Sequence, residues 1–132
     1  MQDSRHFPDE VTVAMRYLGK HWVPGGRGPD AFDCYGLCMD IYQNALGIDC
    51  SSHWGRFDCK VGASPAFVSV ARPTSFSVVL MSAHGQSHAG IWLTADHGGV
   101  LHCVCGHGVI FTPVRTLKDI GIKIVAFYDY IQ

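Results

Sequence analysis

Apolar residues in this 132-residue chain change their spacing near residue 66, and the two spacings predict two kinds of element. Before that point they recur at helical intervals. Residues 9 to 18 predict a short helix with Val11, Ala14, Met15 and Leu18 on its inner face and Gly19 ending it. A second helix starts at Cys34, with apolar positions at 34, 37, 38, 41, 42 and 45, Asp33 as N-cap and Gly47 as C-terminal cap. The first helix is expected to pack on the second. Between them, Pro24, Gly25, Gly26, Gly28 and Pro29 exclude regular structure and predict a loop whose backbone passes close to a neighbour. Residues 48 to 65, broken by Ser51, Ser52, Gly55, Gly62 and Pro65, predict a loop-rich connection.

From residue 66 the runs are short and rich in Val, Ile, Phe and Tyr. Residues 66 to 71, 76 to 82, 88 to 94, 99 to 105, 108 to 112 and 123 to 130 predict strands, and Thr116 to Ile120 a brief helical turn. Asp96-His97-Gly98-Gly99 and Gly106-His107-Gly108 make hairpin turns, so neighbouring strands are antiparallel. The sum is an α+β layout, with N-terminal helices packed on an antiparallel sheet of about five strands.

Length and 48% apolar content suit one domain spanning residues 1–132. Ten basic residues against eleven acidic ones leave a net charge of −1, so no electrostatic footprint points to nucleic acid or an anionic membrane surface. The polar stretch from Met1 to Glu10 and the lack of a long apolar run predict a soluble protein with neither a secretory signal nor a membrane span. Without a signal, the six cysteines at 34, 38, 50, 59, 103 and 105 are expected to be reduced thiols. Cys103, Cys105 and His107, with Cys50 and Cys59, make an alternative zinc set, but no CxxC spacing is present and no metal is expected.

Cys34 carries the most chemistry. A cysteine in a first helical turn lies among unpaired backbone N–H groups at the positive end of the helix dipole, and both favour its thiolate. A cysteine nucleophile also needs a base and a group to orient that base. If the strands around 88–94 and 99–105 pair about a centre near residue 95, His88 and His102 fall opposite one another or nearly so and supply both. His6, His21, His53, His84, His97 and His107 are read as histidines without chemistry, although His84 and His107 lie close to the chosen pair. Cys103, next to His102 on a strand, is expected to point to the other face and take no catalytic part.

Asp33-Cys34-Tyr35-Gly36-Leu37 after a Gly-Gly loop, His88-Ala89-Gly90-Ile91, and Leu101-His102-Cys103 followed by Gly108-Val109 resemble, in order, the motifs of the NlpC/P60 family of papain-like cysteine peptidases. The form Gly25-Gly26-Arg27-Gly28-Pro29-Asp30-Ala31-Phe32-Asp33-Cys34 is particularly similar to the tail-assembly or tail-tip peptidases of tailed phages and gene-transfer particles. The resemblance implies a cofactor-free endopeptidase that hydrolyses amide bonds in peptidoglycan stem peptides. It implies a place on a phage-like tail, made in the bacterial cytoplasm and acting in the cell wall beside tail-tip or hub proteins. Cys34 would be the nucleophile, His88 the base and later the acid, and His102 its orienting partner. Trp22 stands where many cell-wall members carry a tyrosine that assists the oxyanion, and Trp22, Asp33 and Tyr35 are assigned to the substrate and oxyanion region. Phe76-Ser77 replaces the family's usual Gly-Asp, which predicts a changed loop there. The short segment from 48 to 75 predicts a shallow cleft. Two other readings stay open: a structural tail component without turnover, and acyl transfer to an acceptor other than water.

Overall fold

A computed structural model describes residues 7–49, 51–54 and 60–131. Helix α1 (Glu10–Tyr17) is capped by Asp9, whose carboxylate accepts from the Thr12 backbone N–H. It buries Val13 and Tyr17 and leaves Val11 and Met15 largely exposed, at 69% and 72%. The apolar face expected from the sequence is therefore turned outward. Both sides of this helix carry apolar residues, and the phenol decides between them: the Tyr17 hydroxyl donates to Asp40 at 2.6 Å and its ring packs on Phe32.

The ribbon of β1 (His21–Trp22) and β2 (Ala31–Phe32) leads into α2 (Cys34–Asp40). The helix then widens into a π-helical turn at Ile41–Ala45, and Gly47, with φ of 73°, leaves it in the left-handed region. Leu37, Cys38, Ile41 and Tyr42, all at the anticipated spacing, are buried. Short 3-10 turns at Ser51–His53 and Val61–Ala63 lie in the loop-rich connection. Gly55 and Cys59, like Cys50, fall outside the described residues.

The remaining strands are β3 (Phe67–Val70), β4 (Val78–Ala83), β5 (Gln86–Leu93), β6 (Gly99–Val104), β7 (Gly108–Pro113) and β8 (Ile122–Tyr130). They form one antiparallel sheet of six strands rather than five, in the order β3-β8-β4-β5-β6-β7. The last strand inserts between β3 and β4, using every predicted run. Helix α3 (Val114–Leu117) and a 3-10 turn at Lys118–Ile120 occupy the predicted helical turn.

Strand alternation gives the sheet two different faces. Val78, Ala89, Ile91, Leu101, Cys103 and Val109 join Tyr17, Leu37 and Ile41 in the main core, beneath α1 and α2. Val79, Met81, Trp92, Val100 and Ile122 join Leu117 of α3 in a smaller core on the other side. His88 and His102 share strand parity with Trp92 and Val100, so they belong to this second face, and Cys103 takes the opposite one as expected.

The Phe76-Ser77 sequence lies in the loop before β4. Phe76 adopts φ of 71°, a conformation costly for an aromatic residue. Its ring is nonetheless buried edge-on against Phe7, and its carbonyl accepts from the Tyr42 hydroxyl at 2.6 Å.

Candidate active site

The glycine-rich loop is pressed onto the start of α2. Asp33 accepts from the Gly36 backbone N–H at 2.7 Å, and the Arg27 guanidinium donates to the same carboxylate oxygen at 2.7 Å. The Gly26 carbonyl accepts from the Asp33 backbone N–H and from Arg27. A β-carbon at position 36 would lie 1.9 Å from that carbonyl oxygen, so only glycine fits there. The carboxylate of Asp33 is thus committed to capping and to Arg27, and its part is to hold the loop and helix together.

Tyr35, buried behind Cys34, donates its hydroxyl to Ser87 Oγ at 2.9 Å and tethers the helix to the start of β5. Trp22, on β1, lines the same cleft as Cys34 and His88, about 850 Å³ in volume. Ile110, Ile120 and Ile122 form an apolar wall, and His84 and His107, set aside in the sequence reading, stand in the lining. No described residue between 36 and 82 contributes to it.

The cleft reaches the place where two strands separate. Pairing of β5 with β6 covers Ile91↔Leu101, Trp92↔Val100 and Leu93↔Gly99 and stops there. Beyond it, the Ala89 backbone N–H is turned to the Cys34 thiol, joined by the N–H groups of Cys34 and Tyr35. A helix on one face of the sheet thereby meets histidines on the other.

The register gives the nearly opposite placement of the two histidines. Ile91 facing Leu101 sets Gly90, not His88, across from His102. The connection spends Ala95–His97 on a 3-10 turn, with Asp96 at φ of 53°, which moves the centre of the hairpin. His88 therefore reaches His102 on the diagonal, Nε2 to Nδ1 at 2.8 Å. Gly90 makes that approach feasible, because a β-carbon there would lie 3.0 Å from His102 Cβ and 2.3 Å from Val100 Cγ1. His102 is fully buried, and its Nε2 lies 2.9 Å from Thr112 Oγ1. No feature of the sequence separates Thr112 from an ordinary strand threonine; only the register of β6 with β7 brings it here.

Burial sets the resting charges. The Cys34 thiol, which its helical position alone would favour as thiolate, is pushed up to about 11 by desolvation, with Asp33 adding to the shift and the three backbone N–H groups opposing it. Desolvation lowers His88 to about 4 and His102 to about 3, the latter helped by His88. Near neutral pH the arrangement is a thiol beside neutral imidazoles. If His88 donates from Nε2 to His102 Nδ1, its own Nδ1 keeps a lone pair able to take a proton.

Cys103, also at the cleft, donates its thiol to the Phe32 carbonyl at 3.2 Å, and desolvation raises it to about 12. Cys105 is exposed. No group of three or more potential metal ligands occurs among the described residues, and the zinc alternative through Cys50 and Cys59 lies outside them.

The NlpC/P60 family model matches residues 19–119, and the chain belongs to that family. No curated protein sequence matches it. Among solved structures, it resembles the NlpC/p60 domain of the peptidoglycan hydrolase SagA with 21% identity and a TM-score of 0.67, over 90% of this chain and 94% of that one. NlpC1 from Trichomonas vaginalis gives 16% identity and a TM-score of 0.70, over 98% of this chain and 48% of that one. An NLP/P60 family protein similar to lipoprotein, from Staphylococcus aureus subsp. aureus Mu50, gives 20% identity and a TM-score of 0.63, over all of this chain and 45% of that one. The chain thus spans about half the length of these last two.

Proposed function

We propose that the protein is a cysteine endopeptidase that hydrolyses an amide bond in the peptide stems of peptidoglycan. The observation that carries this reading is that Cys34, the first residue of α2 after its Asp33 cap, and His88 line one cleft, with His88 Nε2 2.8 Å from Nδ1 of buried His102. Family membership and the likeness to the SagA hydrolase domain support the substrate class.

In this reaction His88 takes the Cys34 proton as sulfur attacks the carbonyl carbon, and the backbone N–H groups at the start of α2 receive the developing oxyanion. His88 then protonates the leaving amine, and water, deprotonated by the same imidazole, releases the acid and restores the thiol. Because thiol and imidazole are both neutral at rest, the proton passes to His88 as sulfur attacks, with no thiolate formed beforehand. The cleft's apolar isoleucine wall suits an uncharged stretch of peptide. No metal or organic cofactor takes part.

The finer placement, on a phage or phage-like tail beside tail-tip or hub proteins, is supported by the Gly25–Cys34 loop form. A structural tail component without turnover is the second reading, and the raised Cys34 thiol favours it. Synthetic stem peptides incubated with the parent protein and with Cys34→Ala separate the two. The peptidase releases a new amino terminus with the parent only, whereas a parent that releases none is the structural component. A peptide–amine conjugate formed with an added amine would identify acyl transfer instead of hydrolysis.

A further inference from the structure

We propose that Thr112 is a positioning residue of the site, acting through His102 to keep accessible the tautomer in which His88 can accept a proton; this rests on the peptidase reading. The two imidazoles form a chain with only two self-consistent polarities. In one, His88 donates from Nε2 to His102 Nδ1, and His102 donates from Nε2 onward. In the other, His102 donates from Nδ1 to His88 Nε2, leaving His88 with its proton on Nδ1, where the Cys34 proton must arrive. The second polarity blocks the base.

The far end of the chain decides which is cheaper. His102 is wholly buried, so its Nε2 has no solvent to turn to, and the hydroxyl of Thr112 at 2.9 Å is the partner it meets. The hydroxyl can accept from an Nε2–H or donate to a bare Nε2, so its presence keeps the productive polarity free of a buried unpaired N–H. Without it, that N–H is a buried donor lacking an acceptor, and the proton moves to Nδ1. A hydroxyl also carries no charge. It holds His102 in place without drawing a proton through to it, as a carboxylate would, so the proton taken from Cys34 stays on His88 for the leaving amine.

The geometry holding Thr112 is built into the sheet. Thr112 pairs with Val100, Ile110 pairs with His102, and the side chain of Thr112 is buried on the same face as both histidines. Replacing the hydroxyl by a methyl group keeps the shape and leaves an Nε2–H of His102 with no acceptor, the costlier of the two unpaired states.

The test uses the full chain, as parent, Thr112→Val and Thr112→Ser, with two readouts. Nitrogen-15 shifts of the imidazoles at neutral pH report each tautomer without needing turnover. We expect His102 protonated on Nε2 in the parent and in T112S, and on Nδ1 in T112V, with His88 switching in step. With stem peptide, kcat of T112V should fall roughly tenfold or more, within the 10²–10⁴-fold that a positioned acid–base group supplies, with KM little changed and T112S largely restoring it. If T112V does not fold, Thr112→Ala is read in the same two ways. A T112V protein that keeps the parental tautomers overturns the proposal whatever its activity. A parent without turnover overturns the peptidase reading, while the nitrogen shifts still decide the hydrogen bond.

Discussion

At the scale of single residues, the account turns on groups whose neighbours leave them one thing to do. Cys34 meets three backbone N–H groups and a cleft, and its replacement by alanine should lower turnover roughly a thousandfold or more, measured as kcat/KM on a stem peptide. Desolvation keeps that thiol protonated, so in the free protein iodoacetamide should label exposed Cys105 faster than Cys34 at neutral pH, with Cys34 gaining as pH rises towards 11. Peptide mapping after timed labelling reads both rates. Asp-Cys-Tyr-Gly-Leu and His-x-Gly-Ile are local patterns, so Cys34 and His88, which line one cleft, could be singled out as candidates from the sequence. Thr112 could not, since it is defined only by standing across a strand pair from a histidine. Nor was the resting charge of Cys34 legible, since a helix position foretells the N–H groups but not the depth of burial around them.

At the scale of elements, the sheet was readable because its runs of Val, Ile, Phe and Tyr are short and punctuated by Pro and Gly. What escaped was the insertion of β8 between β3 and β4, a matter of topology. The inner face of α1 also escaped, because Val11, Met15 and Leu18 repeat at helical spacing as well as Val13 and Tyr17 do; a partner for the phenol, Asp40, settles it. Whether the two histidines stand opposite or on the diagonal was not legible either. Asp96 takes a left-handed conformation that glycine would have advertised, and the displaced hairpin joins the histidines diagonally. The tightest junction is between the loop and α2. Gly36→Ala forces a β-carbon onto the Gly26 carbonyl and should cost about 3 kcal/mol in chemical denaturation. Asp33→Ala, which removes both the cap and the Arg27 partner, should cost about 2 kcal/mol by the same measurement.

At the scale of the whole molecule, the buried histidines make stability depend on pH. Both pKa values are lower in the folded chain than in the unfolded one, so between about pH 6.5 and 4 the unfolded state binds protons that the folded state excludes. Stability should therefore be full above pH 6.5 and fall as the solution is acidified, by on the order of 1 kcal/mol per pH unit for each histidine. Denaturation midpoints across that range check it, and a His102→Asn variant should show a shallower slope. The same burial keeps His88 unprotonated at neutral pH, the state that the proposed base requires. The claim on which everything else depends is that this site cuts wall peptides through Cys34. Purified peptidoglycan, incubated in parallel with the parent and with Cys34→Ala and read by mass spectrometry, tests it most directly. The account predicts new stem-peptide fragments from the parent alone, their freed ends identifying the bond; equal fragments from both proteins, or none from either, would contradict it.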